Sequence, residues 1–194
     1  MKRLGVVFAL VAAFSLALAA ETPLDVVKSH IDGVISVLVS KKLSVTQKKR
    51  RIMEELDTAI DWPYVSKLVL GIYYKKCSPG QFSEFERLFK EFVKHVYARK
   101  FLRYSGERII YKGQRVEDGI AVVDMVLVTT KGQKIPIACR LSKRDGRWLI
   151  YDVLIEGISM VNNYRIQINR IISKKGVNGL LRILRRKVKR MEGR

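Results

Sequence analysis

The sequence predicts an α+β fold, with N-terminal helices, a four-stranded antiparallel meander and C-terminal helices in one domain. Before residue 105 and after residue 158, apolar residues recur every three or four positions, which is typical of amphipathic helices. Between residues 108 and 155 they alternate, and short glycine-containing turns separate four such runs. The chain has 194 residues, of which 48% are hydrophobic, and this is sufficient for one domain with a substantial core.

The first 19 residues have the pattern of a secretory signal peptide. Lys2 and Arg3 precede an apolar run, and Ala17-Leu18-Ala19 matches the small-x-small rule for signal peptidase. We expect cleavage after Ala19, with Ala20 as the second choice, so that residues 20–194 form the mature domain. An uncleaved membrane anchor is the alternative, although the run is short of the roughly 20 residues that span a bilayer. A bacterial protein exported in this way would be periplasmic.

Four helix start signals divide the N-terminal half of the chain. Each pairs a capping residue with a suitable first turn, as in the Ser-Val-Thr-Gln and Ser-Pro-Gly-Gln capping boxes. The predicted helices cover about residues 22–40, 44–58, 61–74 and 79–104. In the fourth helix, aromatic and aliphatic residues form one continuous face, which predicts either ordinary core or the wall of a cavity.

The predicted strands cover residues 108–112, 120–130, 134–142 and 147–155, with Gly113 and three Xaa-Gly pairs as turns. Alternation places Leu149 on the same face of the last strand as Tyr151 and Val153. Two helices are predicted to follow, at about residues 159–173 and 178–192, with Gly176 just beyond the end of the first.

The chain is strongly basic, with 38 lysines and arginines against 18 acidic residues and a formal net charge of +20. Removal of residues 1–19 takes away two cations and no acid, which leaves +18. The charge is concentrated at residues 48–51 and along the last helix, where Arg182, Arg185, Arg186 and Lys189 share one face. Export argues against a nucleic-acid partner. An anionic membrane surface, an acidic protein partner and a merely solvated face remain as interpretations.

Patterns for catalysis or metal binding are missing from the sequence. It contains two histidines and two cysteines, without an H-E-x-x-H, C-x-x-C or G-x-S-x-G motif. The residues leave one enzymatic alternative, a cone-fold enzyme that uses a pocket carboxylate on a small apolar substrate, with Asp124, Asp152 and Glu156 as candidates. Sequence spacing does not decide whether Cys77 and Cys139 form a disulfide.

A long motif begins at residue 146, where a Gly-x-Trp-x-x-Tyr-Asp-Val strand leads into a Glu-Gly-Ile-Ser turn and an Asn-Tyr-Arg-x-Gln helix. The motif residues are Gly146, Trp148, Tyr151, Asp152, Val153, Glu156, Gly157, Ser159, Asn163, Tyr164, Arg165 and Gln167. Upstream stand Leu70-Gly71 and a Ser-Pro-x-Gln-Phe helix start. From about residue 26 to residue 184, the chain resembles the MlaC family, also called toluene-tolerance proteins. Ile158, Ile168 and Tyr74 replace the family's usual valine, phenylalanine and tryptophan, and these departures are conservative in size.

The resemblance implies a non-enzymatic, periplasmic carrier that has no cofactor and holds phospholipid as its cargo. Relatives ferry lipid between an outer-membrane lipoprotein complex and an inner-membrane ABC-transporter complex bearing a ring of MCE domains. The family fold is a curved antiparallel sheet with helices closing a deep, cone-like apolar pocket. Acyl tails enter this pocket, and the headgroup stays near its mouth.

The lining expected for such a pocket comes from the sheet and from the helices on either side of it. The sheet candidates are Val123, Met125, Leu127, Ile135, Ile137, Tyr151, Val153 and Ile155. The helix candidates are Phe101, Tyr104, Val161 and Tyr164. Ordinary core packing is the alternative for each of them, and the choice of sheet face is open.

Overall fold

The computed structural model of the protein describes residues 21–193, so the predicted signal peptide lies outside the described residues. The helices are α1 Pro23–Val39, α2 Val45–Ala59, α3 Trp62–Leu70, α4 Pro79–Phe101 and α5 Met160–Glu192, with a 3₁₀ helix at Gly71–Lys76. The strands are β1 Arg108–Glu117, β2 Ile120–Val128, β3 Lys134–Arg144, β4 Arg147–Ile155 and β5 Ile158–Ser159. Within residues 21–193, no helix has the length and apolar character needed to cross a bilayer. The predicted α+β class is confirmed.

Side-chain caps start the first four helices where the sequence predicts them. Thr22, Ser44 and Ser78 each form a complete capping box, and Asp61 accepts a hydrogen bond from the Tyr64 amide at 3.0 Å. The third helix is shorter than predicted because Gly71 adopts a positive φ of 56°. The chain then continues as the 3₁₀ helix instead of a further α-helical turn.

The sheet is an antiparallel meander with strand order β1-β2-β3-β4-β5. The predicted end of β1 at residue 112 is wrong, because Gly113 is not a turn. The β1–β2 register shifts between Tyr111 and Gly113, so Gly113 belongs to a β-bulge and the strand continues to Glu117. The hairpin turn lies at Asp118 and Gly119, both with positive φ.

A second bulge lies in β4 and changes which side chains share a face. Arg140 of β3 pairs with Asp152, whereas the next residue, Leu141, pairs with Ile150, so Tyr151 is the extra residue. The prediction that Leu149 shares the core face is therefore wrong. Trp148 and Ile150 pack with Leu141 instead.

The C-terminal helix runs over 33 residues with one interruption. Gly176 has φ 65° and ψ 175°, which is not helical, and it divides the helix into two segments. The sequence predicts two helices with a loop between them. The structure has the break at Gly176, but this single residue takes the place of the loop. After the break, Leu181, Leu184 and Val188 are buried, as their spacing predicts.

Among residues 21–193, buried apolar residues form three separate cores, whereas a single domain usually has one contiguous core. The helical core comprises Trp62, Val65, Val69, Leu70, Phe85, Leu88, Phe89, Val93, Val161, Ile168, Ile172, Leu180, Leu181, Leu184 and Val188. The sheet core comprises Val26, Val27, Ala121, Val123, Met125, Cys139, Leu141 and Trp148. The small core, between α1, α2 and the end of α4, comprises Val37, Ile52 and Ala98.

Candidate functional site

One end of the sheet brings together residues from distant parts of the chain. The start of β1, the end of β2, the start of β3 and the end of β4 meet there, because the strands are antiparallel neighbours. The C-terminus of α4 leads into β1, and α5 begins directly after β5. Leu127 pairs with Ile135, and Ile155 lies one row further in, opposite Ile137. We call Leu127, Ile135 and Ile155 the open end of the sheet.

Burial changes along the sheet face that carries the predicted lining. Val123 and Met125 are 0% and 2% exposed and belong to the sheet core beneath α1. Ile137 and Val153 are half-buried and pack against the edge of that core. The residues of the open end are half-buried too, yet they belong to none of the three cores among the described residues. The face is therefore closed core near α1 and accessible apolar surface at the open end.

The helix-side candidates lie in an aromatic group on α4 and α5. The Tyr164 ring meets Phe89 edge-on, with centroids 5.3 Å apart, and meets Phe92 at 6.3 Å. The Tyr97 and Phe101 rings on α4 are also 6.3 Å apart. Phe101 borders the small core, so this aromatic group joins the helical core to the small core.

The remaining candidates lie at the edges of this group. Val161 is buried in the helical core at the start of α5. Tyr151 packs against the same core and meets Tyr64 edge-on at 5.5 Å. Tyr104 is half-buried in the link from α4 to β1 and belongs to none of the cores described here.

Tyr97 is a central residue of this group that the sequence-based candidate list omits. Burial raises the pKa of the Tyr97 phenol, and a side-chain hydrogen bond with Tyr164 partly opposes that rise. Burial also raises the pKa of Tyr164, and the neighbouring Tyr97 raises it further. Both phenols therefore stay neutral at physiological pH, which suits contact with an apolar ligand. The four-residue spacing from Tyr97 to Phe101 is the sequence signal that points to it.

Two of the three carboxylates proposed for an enzyme have structural partners. Asp152 is buried and accepts hydrogen bonds from the Ser159 hydroxyl at 2.6 Å and the Val161 amide at 3.0 Å. Asp124 pairs with Arg115 on the opposite face from the sheet core, and Glu156 is exposed in a turn with φ 51°. Asp124 and Asp152 are engaged by partners, and Glu156 is exposed instead of being held in an apolar pocket, so the geometry does not favour the enzymatic alternative.

The cysteines do not form a disulfide in this structure. Cys139 is buried in the sheet core, and burial raises the pKa of its thiol to about 12. Cys77 follows the 3₁₀ helix, and its thiol donates a hydrogen bond to the Tyr73 carbonyl at 3.3 Å. The two thiols lie in different parts of the fold, with Cys139 in the sheet core and Cys77 packed against the helical core.

Two surface depressions lie away from the predicted lining. One, of about 360 Å³, is bordered by Tyr74, Cys77 and Phe82 near the start of α4. The other, of about 180 Å³, lies between the ends of α4 and α5. Neither includes any of the twelve predicted residues. Those residues lie partly inside the sheet core and the helical core and partly outside all three cores.

Comparison with known proteins gives consistent matches over most of the chain. The family model described as MlaC protein matches residues 28–186. The toluene tolerance protein Ttg2D of Pseudomonas putida is 26% identical over 174 residues, which cover 86% of this chain and 81% of that protein. The intermembrane phospholipid transport system binding protein MlaC of Haemophilus influenzae is 23% identical over 174 residues, covering 85% and 81%.

A solved structure shares the fold. The phospholipid-binding protein from Ralstonia solanacearum, in complex with a phospholipid, superposes with a TM-score of 0.76 at 21% identity, over 89% of this chain and 98% of that one. At this identity the superposition shows the fold alone. The family match confirms the resemblance seen in the sequence and the expectation of a non-enzymatic binding protein. The chain belongs to the MlaC family.

Proposed function

We propose that the protein is a periplasmic phospholipid carrier whose acyl-chain site lies at the boundary of the three cores. The observation that carries this proposal is the accessible apolar surface at the open end of the sheet, where α4 leads into β1 and α5 begins after β5. A structural relative of the same fold was solved with a phospholipid, and a sequence relative is named as a phospholipid transport binding protein. Both support the same ligand class for this chain.

Separate cores make room for acyl chains without loss of the packing that holds the fold. The helical core is internal to α3, α4 and α5, while the sheet core binds α1 to the strands. Leu127, Ile135 and Ile155 belong to neither core, so acyl chains can pack against them without disrupting either one. The aromatic group can form the opposite wall, since its phenols are neutral.

Energetics are compatible with reversible loading. Each methylene taken out of water is worth about 0.8 kcal/mol, so two long acyl chains contribute roughly 20 kcal/mol in gross terms. The acyl chains gain nearly the same free energy in a bilayer, so the free energy of transfer between bilayer and protein is close to zero. A carrier needs this balance, because it must release what it takes up.

The place of the protein in a transport route follows from its family and its N-terminus. Cleavage of residues 1–19 would deliver the mature domain, residues 20–194, to the periplasm. There it would shuttle lipid between an outer-membrane lipoprotein complex and an inner-membrane MCE-domain and ABC-transporter complex. Nucleic acid is not a partner in this proposal.

Lipid extraction tests the proposal directly. The protein is purified without detergent, extracted with organic solvent and analysed by mass spectrometry, and a delipidated sample is incubated with vesicles that contain fluorescent phospholipid. We expect close to one phospholipid per chain and uptake from the vesicles. Protein that yields no phospholipid and takes up none would overturn the carrier assignment.

A further inference from the structure

The ends of α4 and α5 form a basic pocket on the outside of the helical core. It is a depression of about 180 Å³ lined by Phe92, Arg99, Lys187, Arg190 and Met191. The Lys187 ammonium lies 5.2 Å from the centroid of the Phe92 ring, which forms part of the apolar floor. Three cations from two helices therefore surround one small concave surface.

These three cations have no carboxylate within 4.0 Å among the described residues. The contrast with Arg185, on the same helix, is clear. Arg185 makes a two-pronged contact with Glu84, with distances of 2.5 and 2.7 Å. Glu91 is engaged by Lys94 at 3.1 Å, and neither Glu91 nor Glu192 lies within 4.0 Å of a pocket cation.

A fourth cation adds to the positive potential. Lys49 of α2 donates a hydrogen bond to the Met191 carbonyl at 3.4 Å, so its ammonium lies beside a pocket residue. Like charges held this close repel one another, and a bound anion removes that cost. The packing of α4 against α5 holds the backbones of these residues, whereas the three cationic side chains are exposed and become ordered when an anion binds.

We propose that this basic pocket binds a phosphate group. Arginine guanidinium groups present paired N–H donors that match phosphate oxygens, and lysine adds a compact positive charge. Arg99 and Phe92 are seven residues apart and share one side of α4, whereas Tyr97 and Phe101 lie on the other side. Phe92 of the pocket floor also meets Tyr164 of the aromatic group, so the pocket borders the proposed acyl-chain site, but its cations concern a second ligand contact. The phosphate is that of an anionic phospholipid in a bilayer surface or a free phosphate ion.

The test compares two triple variants that lose the same charge. The pocket variant combines Arg99→Gln, Lys187→Gln and Arg190→Gln. The control combines Arg182→Gln, Arg186→Gln and Lys189→Gln, three exposed cations outside the pocket. A charge-preserving variant, Arg99→Lys with Lys187→Arg and Arg190→Lys, guards against misfolding, which circular dichroism also checks.

Binding of inorganic phosphate is measured by calorimetry, and binding to phosphatidylglycerol-containing vesicles by flotation, both at about 0.15 M salt where the Debye length is about 8 Å. We expect the pocket variant to bind phosphate about tenfold more weakly or worse, while the control stays within about twofold of the parent protein and the charge-preserving variant binds more tightly than the pocket variant.

The two measurements together separate the sources of phosphate. Loss of vesicle binding in the pocket variant alone identifies the headgroup of an anionic lipid as the ligand. Loss of phosphate binding with equal vesicle binding in both triples identifies free phosphate. If both triples lose phosphate and vesicle binding equally, or if the parent protein binds neither phosphate nor vesicles, the charge is only diffuse and the proposal is overturned. None of these outcomes depends on bound acyl chains, so the carrier proposal stands or falls separately.

Discussion

The carboxylate of Asp152 on β4 accepts a hydrogen bond of 3.0 Å from the backbone amide of Val161, in the first turn of α5. The same carboxylate accepts a hydrogen bond from the Ser159 hydroxyl and lies 3.7 Å from the Arg140 guanidinium. A buried acid therefore ties the start of the C-terminal helix to the sheet, beside the proposed lipid site. The presence of Asp152 in the family motif is therefore explained by a structural role and not by a catalytic one.

Asp152→Ala should lower the free energy of unfolding by about 1–3 kcal/mol, because the Val161 amide and the Ser159 hydroxyl lose their buried acceptor. Urea denaturation measures the change. Asp124→Ala is the matched control on the same sheet. Its partner Arg115 is exposed, so the expected loss is below about 1 kcal/mol. Equal losses in the two variants would contradict the tethering role.

Leu127→Gln with Ile155→Gln should reduce bound phospholipid about tenfold, since an amide replaces apolar contact with the acyl chains. Stability should fall by less than at a fully buried position, because both side chains are only partly buried. Val122→Gln with Val126→Gln, on the opposite sheet face, is the control and should retain lipid. Lipid loss only in the control pair would place the pocket on the other face.

Val123→Ala should instead affect stability first. Val123 is completely buried beneath α1, and removal of two methyl groups leaves a cavity that costs about 2 kcal/mol. Thermal or urea unfolding measures this loss, and extraction measures the lipid. A variant with full stability and no lipid would show that Val123 lines the site directly.

Tyr111→Phe should not destabilise the protein at neutral pH, because the Tyr111 hydroxyl is buried without a hydrogen-bond partner among the described residues. Burial, with smaller contributions from Asp32 and Cys139, raises the pKa of Tyr111 to about 12. The unfolded phenol ionises near pH 10, so the parent protein loses stability as the pH rises above about 10. The variant should lose less over that range in urea titrations. An identical pH dependence would contradict the buried position of the hydroxyl.

Gly176→Ala should destabilise the protein by about 1–3 kcal/mol, because only glycine readily adopts the backbone angles found at the break in α5. A Cβ there would meet no atom within 4 Å, so the cost is conformational and not steric. Gly80→Ala, in the first turn of α4, is the control and should be neutral or slightly stabilising. Urea denaturation of both variants decides the point.

Local chemistry determined much of this fold from the sequence. Capping residues such as Ser44 and Ser78 satisfy backbone amides within three residues, so helix starts can be recognised without knowledge of the tertiary structure. Alternation and Xaa-Gly pairs likewise identify the four main strands, since pleating and turn geometry are local. The family motif extends the same logic to β4 and the start of α5.

Only the tertiary structure decided how those elements are used. Gly113 can make a turn or a bulge, and the register with β2 selects the bulge. Val123 and Leu127 have the same place in the alternation, yet α1 covers only the first. Arg99 and Arg190 are distant in the chain and border one pocket because α4 and α5 pack together. Burial and charge clustering depend on which elements meet, and that depends on the packing of the whole chain.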